Sequence, residues 1–228
     1  MPRIFISGAS KGIGRAIARR FLIEGWEVII CARGAAALET ARAEMPGLIT
    51  LPCDMGDKAA VKALAETLNT QFGPLDVLVN NAGIFEPGQI HTEPDERYEQ
   101  LMRVNMDGTY YLTKGVLPPM MDRKQGTIVN MASIASLNAY ENGGSYSITK
   151  YALLGFSKNL REEMKPHGIR VISIMPGAVL TASWEGVDVP AERLMPPEDV
   201  ADLVWTSCAL SPRTVVEDIV LRPQLGDL

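Results

Sequence analysis

Tyr146 and Lys150 stand four residues apart in the run Tyr146-Ser147-Ile148-Thr149-Lys150. On a helix that spacing puts both side chains on one face, one turn apart. A free phenol has a pKa of about 10 and is a poor proton donor or acceptor near neutrality. An ammonium beside it favours the phenolate, because opposite charge stabilises the ionised form. The pair therefore has the makings of a tyrosine general acid whose pKa a lysine lowers. The same spacing also describes an ordinary helix with a buried tyrosine and a solvated lysine, so the rest of the chain must decide.

A second chemical stretch lies at the start: Ser7-Gly8-Ala9-Ser10-Lys11-Gly12-Ile13-Gly14. It joins a short apolar run, Ile4-Phe5-Ile6, to a helical pattern that begins at Gly12. Glycines let the backbone turn tightly and let a pyrophosphate approach the amides. The helix start adds free N–H groups and a positive dipole end. The spacing is GxxxGxG, a variant of the dinucleotide fingerprint; the bland alternative is a glycine turn chosen for close packing. An NAD binder usually ends its second strand on an acid that meets the ribose hydroxyl. Here the strand ends Cys31-Ala32-Arg33. Arg33 and Lys11 suit an additional phosphate, arginine as a planar fork and lysine as a point charge. NADP(H) is therefore expected in preference to NAD(H), unless the two cations are merely solvated.

The elements that would hold these residues alternate. Strands are predicted over residues 4–6, 27–32, 48–51, 77–79, 127–131, 170–175 and 218–222. Helices are predicted over residues 12–24, 35–45, 57–72, 145–165 and 197–210. Glu96 to Arg123 should hold one or two more, stalled near Pro118-Pro119. Asp57 is an N-cap candidate. Strands that are apolar throughout, alternating with helices, predict an α/β fold with a doubly wound parallel sheet covered on both faces. No repeat or linker divides the chain, so residues 1–228 are expected to form a single Rossmann-type domain. Ala182 to Pro196 is the least patterned stretch and a candidate lid, with acids at Glu185 and Asp188.

Composition excludes several classes. The chain has 228 residues, 46% of them hydrophobic and 21% charged, with a net charge of −5. There is no basic block, which argues against nucleic acid and anionic membrane as partners. No apolar run reaches the roughly 18 residues of a membrane span. The first strand-like run is expected from Arg3, so no cleavable leader is expected ahead of the fold. Cys31, Cys53 and Cys208 are widely spaced and read as buried thiols of a reducing, cytoplasmic compartment. His91 and His167 have no partner at ligand spacing, and no metal site is expected.

Taken together these residues resemble the short-chain dehydrogenase/reductase family, in its NADP-preferring branch, over nearly the whole chain. Gly8-x-x-x-Gly12-Ile13-Gly14 matches the family's cofactor turn, with Ser7 where threonine is more usual. Asp54, followed by Met55, stands where the family places an acid on the adenine. Asn80-Asn81-Ala82-Gly83 matches its NNAG motif, and Asn105 its helix asparagine. Ser133 matches the catalytic serine, with Tyr146 at the usual interval. Pro176-Gly177-Ala178-Val179-Leu180-Thr181 matches the segment that lies along the nicotinamide. The resemblance implies a sheet of about seven strands in the order 3-2-1-4-5-6-7. It implies cofactor contacts at Gly8, Ser10, Lys11, Gly12, Ile13, Gly14, Arg33, Asp54, Met55 and Asn80 to Gly83. Further contacts would come from Tyr146, Lys150, Pro176, Gly177, Val179 and Thr181.

The chemistry so implied is hydride transfer between NADP(H) and a carbonyl or alcohol. Tyr146 would act as general acid and base, Lys150 would lower its pKa, Ser133 would bind the substrate oxygen, and Asn105 would hold a water leading to Lys150. Each has a plainer alternative: Ser133 as a loop cap, Asn105 and Asn80-Asn81 as structural ties, Asp54 as a loop acid. Candidate pocket walls are Ile84 to Gln89, Ile134 to Asn142 and Ala182 to Met195, with Tyr140 and Trp184 among them. They suit a small polar substrate. The helices around Asn105 and Tyr146 commonly build dimer and tetramer contacts in the family, so the resemblance implies a homodimer or homotetramer. The competing readings are a catalytically idle NADP-binding redox sensor and a nucleotide-binding scaffold, against which the complete Asn105, Ser133, Tyr146 and Lys150 set argues.

Overall fold

A computed structural model of the chain describes residues 1–184 and 186–228; the acid expected at Glu185 lies outside the described residues. In chain order the strands and helices are β1 (Arg3–Ser7), α1 (Gly12–Ile23), β2 (Glu27–Ala32), α2 (Ala35–Glu44), β3 (Ile49–Pro52), α3 (Lys58–Thr67) and β4 (Val77–Asn80). Then come α4 (Asp95–Met102), α5 (Gly108–Arg123), β5 (Gly126–Met131), α6 (Gly144–Met164), β6 (Ile169–Pro176), α7 (Pro197–Ala209) and β7 (Asp218–Leu221). The strands form one sheet in the order β3-β2-β1-β4-β5-β6-β7, parallel throughout. The order and class are those expected.

Both faces of the sheet are dry, which explains the continuous apolar strands. Ile4 and Ile6 face one core with Val28, Ile30, Val77 and Val79. Helices α1, α2 and α7 cover it with Phe21, Leu38 and Val204. Phe5, Ile29, Leu78 and Ile128 face the opposite core, covered by Leu64 of α3, Leu112 and Val116 of α5, and Leu160 of α6. Successive residues of a strand point to opposite faces, so two buried faces demand apolar residues at every position. The turns at the carboxyl ends of these strands are then the natural place for a site.

The proline expectation fails. α5 runs through Pro118 and Pro119 to Arg123 without stalling. Pro119 removes the N–H that would have bonded the Gly115 carbonyl, and Asn69 Nδ2 takes that carbonyl instead at 2.8 Å. A carbonyl satisfied from outside removes much of the cost of an internal proline. Ahead of α5, Arg103–Asp107 is a π-turn that joins it to α4. Asp57 does cap α3, accepting from Ala59 N at 2.8 Å and Ala60 N at 3.1 Å.

The candidate lid is pinned at both ends. Leu180 N donates to Met195 O at 2.8 Å and Met195 N to Ala178 O at 3.0 Å. Arg161, 6% exposed, ties the last strand to the sheet. Its Nε donates to Val171 O at 3.0 Å and its Nη2 to Glu217 O at 2.6 Å. The three cysteines are free and buried, and burial pushes Cys31 and Cys208 to about 12 and Cys53 to about 11. Among the described residues no helix is long and apolar enough to cross a membrane, and no cluster of three or more metal-ligating side chains occurs.

Candidate active site

The turn after β1 is built by close backbone approach. Gly8 has φ +66°, and a Cβ there would lie 2.6 Å from Ala82 Cα. Only glycine lets the β1 turn meet the β4 turn this closely. The Ser7 hydroxyl completes the joint, accepting from Asn81 N at 3.1 Å and Ala82 N at 3.0 Å. Asn81 Nδ2 returns two bonds, to Ser7 O at 3.0 Å and Gly8 O at 2.9 Å. A hydroxyl is what this position needs, which serine supplies as well as threonine does.

Helix α1 starts at Gly12 with an extended Lys11 before it and no side-chain cap. Its first N–H groups therefore face the groove with no partner from a capping side chain, the arrangement that takes an anion. The groove has a volume of about 570 Å³ and is lined by Gly8, Ser10, Lys11, Gly12, Ile13, Arg33, Asp54, Met55, Asn81, Ala82, Gly83 and Thr181. Asp54 is braced by Gly56 N, which donates to Oδ1 at 2.9 Å. Lys11 and Arg33 are exposed and, among the described residues, form no ion pair, whereas Arg15 one turn on is paired with Glu44. An uncapped helix start, a glycine cradle and two uncommitted cations fit a phosphorylated dinucleotide.

A second cavity of about 400 Å³ continues from the first, sharing Ile13, Asn81, Gly83 and Thr181. Ser133, Tyr146, Lys150, Pro176, Gly177 and Val179 line it. Ser133 follows β5 and caps a short 3-10 turn, its Oγ accepting from Ala135 N at 3.1 Å. One of its two acceptor positions is thereby engaged, and the hydroxyl proton is left for Tyr146 or a ligand. Tyr146 sits in the first turn of α6, its ring packed edge-on against Phe85 at 4.8 Å between centroids. Lys150 is 7% exposed, and its Nζ donates to Met131 O at 2.9 Å.

The electrostatics differ from the expectation. Burial pushes the Tyr146 phenol up to about 12; a hydrogen bond with Ser133 opposes this and nearby Tyr140 adds to it. Burial draws Lys150 down to about 8. Lys150 does not lower the tyrosine here, because its Nζ turns to the Met131 carbonyl and lies 5.6 Å from the phenol ring centroid. Desolvation of the phenol outweighs an ammonium at that distance.

Three expected residues lie behind the cavity walls. Asn105 is 1% exposed, and its Oδ1 accepts from Ile84 N at 2.8 Å. Its Nδ2 donates to Ile84 O at 3.0 Å and Thr149 Oγ1 at 3.1 Å. Asn80 is a strut between strands, donating to Thr113 Oγ1 at 2.9 Å and Asn130 Oδ1 at 2.8 Å. Gly14 is buried beneath the groove, where a Cβ would lie 2.5 Å from Asn81 Nδ2.

Two residues escaped the sequence reading. Glu93 reaches the start of α6, and its Oε1 accepts from Ser145 N at 3.1 Å and from the Ser145 hydroxyl. The available signal was negative: Asn142-Gly143-Gly144 offers α6 no side-chain cap of its own. Asp227 lines the tyrosine cavity from the tail beyond β7. Nothing in the local pattern distinguishes it from a surface acid.

Comparisons with known proteins agree with one another. The sequence model of a family described as "short chain dehydrogenase" matches residues 2–189. Sepiapterin reductase of Chlorobaculum tepidum is 33% identical over 237 residues, covering 99% of this chain and 97% of that protein. The NADP-dependent 3-hydroxy acid dehydrogenase YdfG of Salmonella typhi is 32% identical over 235 residues, covering 96% and 94%. A closed form of serine dehydrogenase complexed with NADP+ superposes with a TM-score of 0.88 at 31% identity, covering 96% of this chain and 93% of that one.

Proposed function

The chain belongs to the short-chain dehydrogenase/reductase family of oxidoreductases, and we propose that it interconverts a small polar carbonyl compound and its alcohol with NADP(H), using Tyr146 as general acid and base. The observation that carries this reading is the continuity of the two cavities. Ser133, Tyr146 and Lys150 line one, the glycine turn with Arg33 and Lys11 lines the other, and Asn81, Gly83 and Thr181 belong to both.

Lys11, Arg33 and the start of α1 would hold the phosphates, and Asp54 and Met55 the adenosine end. When bound, NADPH supplies the hydride. The chain's own residues handle the oxygen and its proton. Ser133, positioned by the bond it accepts from Ala135, donates toward the carbonyl oxygen as negative charge develops. Tyr146 is fully protonated at neutral pH and delivers its proton to that oxygen. Lys150 keeps two protons beyond the one bonded to Met131 and can reprotonate the phenolate. Both amide protons of Asn105 are engaged, so its part in a water path to Lys150 would come from its main chain within the π-turn.

The same proposal treats residues 1–228 as one oxidoreductase domain, cytoplasmic because its free thiols suit a reducing compartment. It assembles as a homodimer or homotetramer, supported by exposed Tyr110, Ile148 and Tyr151 on α5 and α6. Light scattering on the eluted protein tests the assembly; a monomer would remove that part. The central test is a panel of ketones, aldehydes and alcohols followed at the nicotinamide absorbance with NADPH and NADH. Turnover with NADPH and its loss in Tyr146→Phe is the expected outcome. Binding of NADPH with no turnover of any carbonyl would favour the idle sensor.

A further inference from the structure

We propose that Asp227 is the specificity determinant of the carbonyl site: its carboxylate receives an ammonium or N–H-bearing end of the substrate and turns away substrates that carry a carboxylate. This rests on the reading of the 400 Å³ cavity as the place where Tyr146 meets a carbonyl.

Much of the cavity wall is apolar or aromatic, with Phe85, Ile134, Tyr140 and Trp184 prominent. Among the side chains of its described lining residues, Lys150 supplies the cation and Asp227 the carboxylate, with the terminal residue Leu228 beside it. Lys150 is buried with its ammonium on the Met131 carbonyl. Asp227 lines the cavity from the tail that follows β7. The tail is held in place: Gly177 N donates to Leu221 O at 2.7 Å, and Gly226 turns the chain with φ +88° and donates to Pro223 O at 2.9 Å.

Arg222 then fixes the carboxylate. Its Nη1 pairs with Asp227 Oδ2, and its Nη2 meets the Asn138 side-chain oxygen at 3.1 Å when that amide is oriented to satisfy both neighbours. The guanidinium is thereby held between two partners and is not among the lining residues. Asp227 Oδ1 is left over. It stands 3.3 Å from where a Gly177 Cβ would be and, among the described residues, accepts no hydrogen bond.

An oriented acceptor with a negative charge selects for donors. A substrate ammonium or ring N–H would meet Oδ1 directly. A substrate carboxylate placed at that end would meet a like charge, with Arg222 already committed to Asp227. The side chain is 40% exposed, so water and salt reduce the discrimination without reversing it. One hydrogen bond to a charged group corresponds to about tenfold or more in affinity.

Three ketones of one shape test this: 4-(aminomethyl)acetophenone, 4-methylacetophenone and 4-acetylbenzoate, assayed with NADPH. The expected kcat/KM order is ammonium, methyl, carboxylate, with the first ahead of the last by about tenfold or more and the gap narrowing in added salt. In Asp227→Asn the ammonium ketone should lose that advantage through KM, and the methyl ketone should stay within about twofold. The carboxylate ketone should gain, because the like charge is removed. Equal rates for the three in the native enzyme, or an equal loss for all three in the variant, would overturn the assignment. Quenching of tryptophan fluorescence, with Trp184 in the wall, reads the affinity order without turnover. No turnover with the order intact sinks the hydride-transfer reading alone; no order sinks the Asp227 subsite whatever the turnover.

Discussion

The carboxylate of Glu93 caps the tyrosine helix from outside, accepting from the Ser145 backbone N–H at 3.1 Å across 52 residues of chain. Tyr146 is the next residue, so the loop between β4 and α4 and the position of the phenol are mechanically joined. Gly144 sharpens the joint: at φ +43°, a Cβ there would lie 2.4 Å from Gly88 O.

Glu93→Ala should therefore lower stability by about 1–2 kcal/mol, the usual cost of losing a cap. It should also lower kcat, because the first turn of α6 frays. Glu93→Gln keeps an acceptor for the Ser145 N–H and should restore most of kcat. Thermal unfolding and steady-state kinetics on both variants check this; equal kcat losses in the two would mean that charge, not position, is what Glu93 supplies.

Tyr146→Phe should reduce kcat by about two to four orders of magnitude, the range of a positioned general acid. The ring would still pack on Phe85, so the melting temperature should hardly move. A variant with near-native turnover would remove Tyr146 from the proton path.

Lys150 makes stability depend on pH in a stated direction. Its folded pKa is drawn from 10.5 to about 8. Between those values an unfolded lysine still holds its proton and the buried one has lost it, so stability rises with pH across that window. Above about 10 the raised Tyr146 works the other way, since the folded phenol keeps a proton that the unfolded one loses. The shift corresponds to about 3 kcal/mol, less about 1 kcal/mol for the hydrogen bond to Met131. Lys150→Met should thus be inactive yet about 2 kcal/mol more stable at pH 7, and its advantage should shrink as pH climbs from 8 to 10. Urea unfolding at pH 7, 8, 9 and 10 measures it.

Arg33→Ala should raise the KM for NADPH by about tenfold or more and leave that for NADH nearly unchanged, because a lost charge-assisted bond to phosphate is felt by one cofactor. Lys11→Ala should act in the same sense and more weakly, as a point charge. Cofactor KM values at two salt concentrations test both; an equal effect on the two cofactors would remove these side chains from the phosphate.

Arg161→Met should cost about 1–3 kcal/mol, since it removes the buried guanidinium bonds to Val171 O and Glu217 O, while the exposed Glu217 and Asp218 carboxylates add little. Arg161→Lys should not rescue it, because one ammonium cannot reach Val171 O, Glu217 O and both acids as the fork does. Calorimetry on the two variants decides.

Much of the fold was legible because its signals are local. A strand with two dry faces must be apolar at every position, as Ile4-Phe5-Ile6 and Val77-Leu78-Val79 are. Gly8 and Gly12 announce a turn with positive φ, and Asp57 announces a helix start. The stall expected at Pro118-Pro119 failed for the converse reason. The group that satisfies the Gly115 carbonyl is Asn69, 46 residues away.

The amino-acid sequence by itself determined the sheet, the dinucleotide turn and which residue types could move a proton, because periodicity and turn chemistry are properties of neighbours in the chain. Tertiary structure alone decided how those groups are tuned and joined. Whether Lys150 lowers Tyr146 depends on the burial of both groups and on the Met131 carbonyl that captures the ammonium. Whether Glu93 caps α6, or Asp227 lines the tyrosine cavity, depends on contacts between segments far apart in sequence. Desolvation and long-range contact are properties of the packed molecule, and no local pattern of residues encodes them.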